Sequence, residues 1–303
     1  MKVLVTGGGG FIGAWIARRL MADGHAVRVF DRAPRRELLQ RVAGRRAAEV
    51  EWATGDIARP DEVACALAGC GGVIHLAGLL TPQCRADPLL GLQVNVAGTV
   101  NVFEAVRRAG LRRVVYSSSA GVYGADDGST PAPATLYGVY KLAAEGVARV
   151  YWLDHRIASV GFRPYIVYGA GREGGASAGS SLACKAAVRE EAYLIPYTGV
   201  TGMVHVEDVA DAFVRALAAP SEGAHVFNLQ GETAGTERIV ECIRAIVPRA
   251  QVGAEGAPLP IAPVLAEDGL RELIPGLRDT PLAQGIAATV ATYRDWLADE
   301  RRR

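Results

Sequence analysis

In the first half of the chain, short apolar runs alternate with longer stretches whose apolar residues recur at helical spacing. Val3-Leu4-Val5 lacks any polar alternation, the pattern of a strand covered on both faces. Phe11 to Leu20 then sets Ile12, Trp15, Ile16 and Leu20 on one helical stripe. The pattern repeats, with strands expected over Ala26 to Phe30, Glu49 to Thr54, Gly72 to Leu76, Val114 to Tyr116 and Ile157 to Arg163. Helices are expected after Pro34, from Pro60-Asp61, over Leu89 to Ala109 with Gly110 as the stop, and over residues 137–154. Strands alternating with helices in this way predict an α/β protein built on a doubly wound parallel sheet.

Beyond Arg156 the rhythm is less regular. Pro164 to Gly169 leads out of the sheet into a Gly-, Ser- and Ala-rich stretch, Gly169 to Ser181, expected to wall a substrate pocket. Helices follow over Leu182 to Glu190 and Glu207 to Ala218, where Val209, Phe213 and Leu217 share a face and Asp208 reads as a structural acid. Val226 to Leu229 is a strand, Thr236 to Val247 and Gln284 to Leu297 are closing helices, and Pro258 to Pro263 is an irregular connection. The expected division is a dinucleotide-binding domain over 1–165 with parts of 200–230, and a smaller lobe over 166–303.

Composition narrows the classes. With 33 basic and 32 acidic residues the net charge is +1, so neither nucleic acid nor an anionic membrane is the expected partner. Five scattered cysteines without a C-x-x-C suit reduced thiols in the cytoplasm better than disulfides or zinc, and no metal is expected. A strand starting at Lys2 leaves no room for a signal peptide, and no apolar run reaches the ~18 residues of a membrane span.

The chemistry begins in Thr6 to Gly13, which reads T-G-x-x-G-x-x-G with Gly7, Gly10 and Gly13 at the fixed positions. Glycines there let the chain turn from strand to helix and bring backbone N–H groups against a pyrophosphate, beside a helix N-terminus carrying partial positive charge. Asp31, at the end of the second strand, is placed to accept both hydroxyls of an adenosine ribose and to repel a 2′-phosphate. Arg32, Arg35 and Arg36 are the residues that would suit NADP, but Asp31 holds the strand-end position and NAD is expected. Asp56, after the third strand, is placed to cap the next helix and also to lie near the adenine, roles that exclude each other only weakly, and His75 reads as a packed, hydrogen-bonded histidine. Ser119 follows the fifth strand. Tyr137 and Lys141 stand four apart, one helical turn, so both side chains point the same way. An ammonium beside a phenol and a bound nicotinamide cation both favour the phenolate, which makes Tyr137 the expected base, Ser119 the holder of the substrate hydroxyl, and Tyr140 a packing residue.

These motifs make the chain resemble the extended short-chain dehydrogenases/reductases of the NAD-dependent epimerase/dehydratase family. The likeness runs through T-G-G-G-G-F-I-G (6–13), G-D-I (55–57), H-L-A-G (75–78), N-V-A-G-T-V-N (95–101), S-S-S-A-G-V-Y-G (117–124), Y-G-V-Y-K (137–141), R-P-Y-I-V-Y-G (163–169) and H-V-E-D-V-A (205–210). The resemblance implies a Rossmann-type sheet that binds NAD, a smaller carboxyl-terminal substrate lobe, and Ser119, Tyr137 and Lys141 as the catalytic group, with Lys141 also on the nicotinamide ribose. It implies cofactor contacts from Gly7, Gly10, Phe11, Ile12, Gly13, Asp31, Arg32, Asp56, Ile57, Leu76, Ala77, Gly78, Asn95, Ser117, Tyr165 and Val167. It also implies a homodimer joined through the helices near 89–109 and 137–154, with Val102, Phe103, Val147 and Val150 compatible with that role.

One departure bears on substrate. Relatives acting on nucleotide-linked sugars usually carry an arginine four residues before the histidine of H-V-x-D, and here that position is Thr201. The asparagine they tend to place in the preceding segment is not evident between Gly169 and Leu182. Without a guanidinium a pyrophosphate forfeits charge-assisted hydrogen bonds. The expectation is therefore an NAD-dependent oxidoreductase acting on a secondary alcohol carbon of a sugar-like or hydroxy-acid substrate, with Arg172 holding its anionic or hydroxyl-rich part. The alternatives are a nucleotide-sugar 4-epimerase or dehydratase with tightly held NAD, and a non-catalytic dinucleotide sensor.

Overall fold

In the computed structural model, which describes residues 1–125, 128–220 and 222–302, the strands expected in the first half all form and lie side by side. They are β1 (Lys2–Thr6), β2 (Ala26–Asp31), β3 (Glu51–Thr54), β4 (Gly72–His75), β5 (Arg113–Ser117) and β6 (Ala158–Pro164). After β7 (Ile166–Tyr168), β8 (Tyr193–Ile195) and β9 (Val200–His205), the strand β10 (Ala224–Leu229) returns to this sheet. Its order is β3-β2-β1-β4-β5-β6-β10, every neighbouring pair parallel. The order reverses between β1 and β4, and ligands of open α/β sheets bind at the carboxyl ends of the strands at such a point. Helices cover both faces. Val3 and Val5 pack with Trp15, Ile16, Leu20 and Phe213, while Leu4 turns the other way, onto Phe30, Val73, Phe103 and Tyr116. Leu4, Val5, Ile16 and Phe103 are fully buried, each contributing about 1.5–3 kcal/mol relative to exposure.

The second half builds two small sheets that periodicity did not reveal. β9 pairs in parallel with β7 and antiparallel with β11 (Glu232–Gly235), and β12 (Val252–Ala254) pairs with β8. Strands of three to six residues, one interrupted by Gly202, are too short to show a period of two. Thus 224–229 lies in the large sheet, whereas 200–205 belongs to the small one.

The helix expected over Leu89 to Ala109 runs from Pro88 to Arg108 but widens into a π turn over Gln93–Ala97. The π turn falls where the Asn95 amide leaves the helix to bond the carbonyl of Leu79. Among the described residues this is the one helix long and apolar enough on average to cross a membrane, although polar residues interrupt it and half of its most apolar window is buried inside the protein. Val102 and Phe103 are core residues at 1% and 0% exposure, so they cannot serve a dimer, whereas Val150 is 52% exposed.

Candidate active site

The carboxyl ends of β1 and β4 meet the residues that the motifs singled out. Gly7 adopts φ 69°, and a Cβ there would stand 2.7 Å from the backbone nitrogen of Ala77, so only glycine lets the loop cross the switch point this closely. A chain of hydrogen bonds fixes the two strand ends. Thr99 Oγ1 donates to the Asn95 carbonyl, His75 Nε2 lies 3.1 Å from that hydroxyl, and His75 Nδ1 lies 2.7 Å from Thr6 Oγ1. Thr6 Oγ1 also accepts from the N–H groups of Leu76 and Ala77. This network assigns the proton to Nε2, and burial pulls the imidazole down to about 3, so His75 is a neutral strut, as expected.

The glycine turn opens the helix Phe11–Ala22, and Asp31 reaches back to it, its Oδ2 accepting from the Gly9 N–H at 3.1 Å. Its Oδ1 accepts from the Arg32 N–H. Arg32 and Arg35 line the cleft beside it, whereas Arg36 stacks over Trp52. Asp56 does not cap the helix Pro60–Leu67, whose N-cap is Arg59; its Oδ1 instead accepts from Ala58 N, which shapes the turn after β3.

Ser119, Tyr137 and Lys141 converge at the far end of the same cleft. Ser119 Oγ accepts from the Gly121 N–H at 3.1 Å and shares a hydrogen bond with the Tyr137 phenol. Thr135 caps the helix Leu136–His155 that carries Tyr137 and Lys141, its hydroxyl accepting from Gly138 N. Lys141 Nζ lies 5.8 Å from the centre of the Tyr137 ring and donates to the Ser117 carbonyl at 2.7 Å; burial pulls its ammonium down to about 8. Gly78 makes room for it, since a Cβ there would meet Asn95 Oδ1 at 2.6 Å and Lys141 Nζ at 3.5 Å. Without the cofactor, burial dominates the tyrosine. Burial pushes the Tyr137 phenol above its ordinary value, and the groups that pull it back are Ser119 and the Arg172 guanidinium. Tyr140 packs away from the cleft and donates to the Pro88 carbonyl.

One cleft of about 850 Å³ holds every expected site residue except Asn95. Asn95 is 2% exposed and lies behind the wall, where its side chain bonds both the N–H and the carbonyl of Leu79; Val94 is the neighbour that faces the cleft. Tyr165 and Val167 line it, with the Tyr165 hydroxyl donating to the Ala262 carbonyl. Sequence reasoning missed Leu79 to Gln83, Thr135 and Leu259 to Ile261. Leu79 to Gln83 and Thr135 adjoin Gly78 and Tyr137 in sequence without a motif of their own, and Leu259 to Ile261 come from more than a hundred residues away. Thr201 lies elsewhere, 2% exposed with its hydroxyl turned to Met203 Sδ.

A parallel sheet with this order, a glycine turn at its switch point and a carboxylate at the end of β2 define a dinucleotide-dependent enzyme of the extended short-chain dehydrogenase/reductase kind. The sequence model of the NAD dependent epimerase/dehydratase family matches residues 3–229, and the chain belongs to that family. It is 31% identical over 321 aligned positions to a UDP-glucose 4-epimerase of Mycolicibacterium smegmatis, covering 97% of this chain and 99% of that protein. A 2-alkyl-3-oxoalkanoate reductase of Stenotrophomonas maltophilia is 35% identical over 184 positions, covering 56% of this chain and 52% of that one. The crystal structure of the Thermus thermophilus UDP-glucose 4-epimerase in complex with NAD superposes with a TM-score of 0.81 at 26% identity, over 97% of this chain and 99% of that one. The cofactor is NAD. The close approach of Gly7 to Ala77 and the Asp31 carboxylate at the turn fit it, since any side chain at position 7 would occupy the crossing.

Proposed function

We propose that this protein oxidises the secondary alcohol carbon of an unactivated sugar-like or hydroxy-acid substrate and releases NADH. The observation that carries this is the meeting of Ser119, Tyr137 and Lys141 in the cleft that begins at the glycine turn. Ser119 positions the substrate hydroxyl, with its Oγ oriented by the Gly121 N–H. Tyr137 takes the hydroxyl proton, and Lys141 supplies positive charge behind the ring while anchored on the Ser117 carbonyl. NAD, when bound, accepts the hydride and brings a cationic nicotinamide that favours the phenolate.

The buried Thr201 supports an unactivated substrate, because it offers a diphosphate neither charge nor access. A second reading rests on the full-length likeness to a UDP-glucose 4-epimerase, in which the hydride returns to the sugar. Purified protein with NAD, given sugars, sugar acids, hydroxy acids and UDP-sugars, is expected to accumulate NADH with an unactivated alcohol, read at the nicotinamide absorbance. Inversion of a UDP-sugar without net NADH, seen by chromatography, would overturn this in favour of the epimerase.

The working protein is a homodimer in this proposal. Leu89, Leu92, Val139, Val150 and Leu153 leave 44–72% of their surface exposed on the helices Pro88–Arg108 and Leu136–His155. Exposed apolar side chains on these two helices are of the sort that association covers. Sedimentation is expected to give twice the chain mass, and a monomer at micromolar concentration contradicts it.

A further inference from the structure

The loop after β7 carries a cation whose surroundings are unusual. Arg172 lines the cleft beside Tyr137, close enough for its charge to bear on the phenol. Its Nη1 donates to the Val167 carbonyl and its Nη2 to Ser177 Oγ at 2.7 Å. Both partners are neutral, and among the described residues no carboxylate lies within salt-bridge distance of it. The nearest acid in sequence, Glu173, is bound to Lys185. A guanidinium has five donors and cannot shed its charge, so this one keeps three N–H groups and a full positive charge without an acceptor in the protein. Burial pulls its guanidinium down to about 10, and no carboxylate offsets that.

The other cations of the cleft are committed elsewhere. Lys141 is tied to the Ser117 carbonyl, and Arg32 and Arg35 stand at the far end beside Asp31. Glu173 also lines the cleft here, with its carboxylate paired to Lys185. A Cβ at Gly175 would touch Leu80 Cδ1 on one side and Arg172 Nη2 on the other, so the fork and an apolar side chain flank the same opening. A fixed planar fork, the one guanidinium at this end of the cleft among the described residues, suits a planar monoanion better than a diphosphate, which would bring about two charges for one guanidinium.

We infer that Arg172 is a carboxylate-binding residue, and that the substrate of this enzyme is a hydroxy acid whose carboxylate is held by the Arg172 fork. This rests on the proposed function, since it narrows the substrate class of the same cleft, but it concerns recognition and is tested separately from turnover. The holoenzyme with NAD is titrated with glycerate against glyceramide and gluconate against gluconamide, pairs that differ in charge at one group. Binding is followed by calorimetry and turnover by NADH. At least one acid is expected to bind about 10- to 100-fold better than its amide, the size of a charge-assisted bond. That ratio falls towards one in Arg172→Gln and is only partly restored in Arg172→Lys, which keeps the charge and loses the fork.

The acid-to-amide ratio is internal to each variant, so a general loosening of the loop lowers both affinities and leaves the ratio intact. An unchanged ratio in Arg172→Gln therefore overturns the inference, as does a panel in which no acid is preferred to its amide. Glycerol phosphate competing as well as glycerate overturns the carboxylate assignment. Arg172-dependent binding of an acid with no NADH from any alcohol supports the inference while overturning the proposed oxidation. NADH from neutral alcohols at the same rate as from acids does the reverse.

Discussion

Tyr137→Phe is expected to lower kcat by about 10²- to 10⁴-fold, the usual contribution of a positioned acid–base group, while NAD binding and the melting temperature stay as in the wild type. The substitution removes only the hydroxyl. The ring keeps its place on the helix Leu136–His155, and Ser119 Oγ keeps the Gly121 N–H. The phenol is also expected to titrate in two regimes. Burial holds it above its reference value of 10, so an ultraviolet titration without NAD, taken as the difference between wild type and Tyr137→Phe, shows no ionisation below pH 10. Added NAD brings a cationic ring and moves that ionisation down. Lys141 sets the other limit. Its ammonium, at about 8, is protonated below that pH and lost above it, so kcat/KM declines as pH rises through about 8. Wild-type turnover in Tyr137→Phe would sink the assignment of the base. A phenol that ionises below pH 10 in the protein alone would show that burial is not what controls it.

How much of this was readable in advance follows from how local each feature is. The turn at Gly7 to Gly13, the carboxylate at Asp31 and the Tyr137–Lys141 spacing are set by backbone geometry over a few residues, so residue type and position carry them. The parallel sheet follows from alternation of buried strands and amphipathic helices, and its first six strands lie where that pattern put them. The pKa of Tyr137 without cofactor depends on burial by groups from several segments, which helical spacing alone does not show. Leu259 to Ile261 reach the cleft through a Pro-rich connection more than a hundred residues from Tyr137, and nothing in their own sequence announces it. Asn95 belongs to the motif but acts from behind the wall, through Leu79. Arg172 was readable as a cation in a pocket-forming stretch; that it lacks a carboxylate partner required its neighbours to be in place.

The feature least visible in the sequence carries the second large effect. Glu145 lies one turn beyond Lys141 and two beyond Tyr137 on the same helix, yet at 8% exposure it faces inward. Its carboxylate accepts from Arg163 Nε at 2.8 Å and Nη2 at 2.6 Å, and from Ser118 Oγ at 2.5 Å. Arg163, 14% exposed at its side chain, lies over the Tyr123 ring at 4.9 Å and donates to the Tyr123 hydroxyl, which in turn donates to Asn228 Oδ1. The pair thus ties the catalytic helix to β6 and β10. Glu145→Ala leaves a guanidinium in the interior without countercharge and is expected to cost about 3–5 kcal/mol, a fall in Tm on the order of 10 °C. Adding Arg163→Met removes the stranded charge, so the double variant is expected to recover much of the loss, as it would not if Glu145 acted by packing alone. Activity responds through a different route. The Glu145 carboxylate helps hold the Lys141 ammonium charged, so its removal shifts the alkaline limb of kcat/KM to lower pH, and restoring stability with Arg163→Met does not move it back. Thermal denaturation and pH profiles of the three variants separate the two effects. A Glu145→Ala protein that melts with the wild type would show that Arg163 has found another partner. A limb that stays in place would free Lys141 from any influence of this pair.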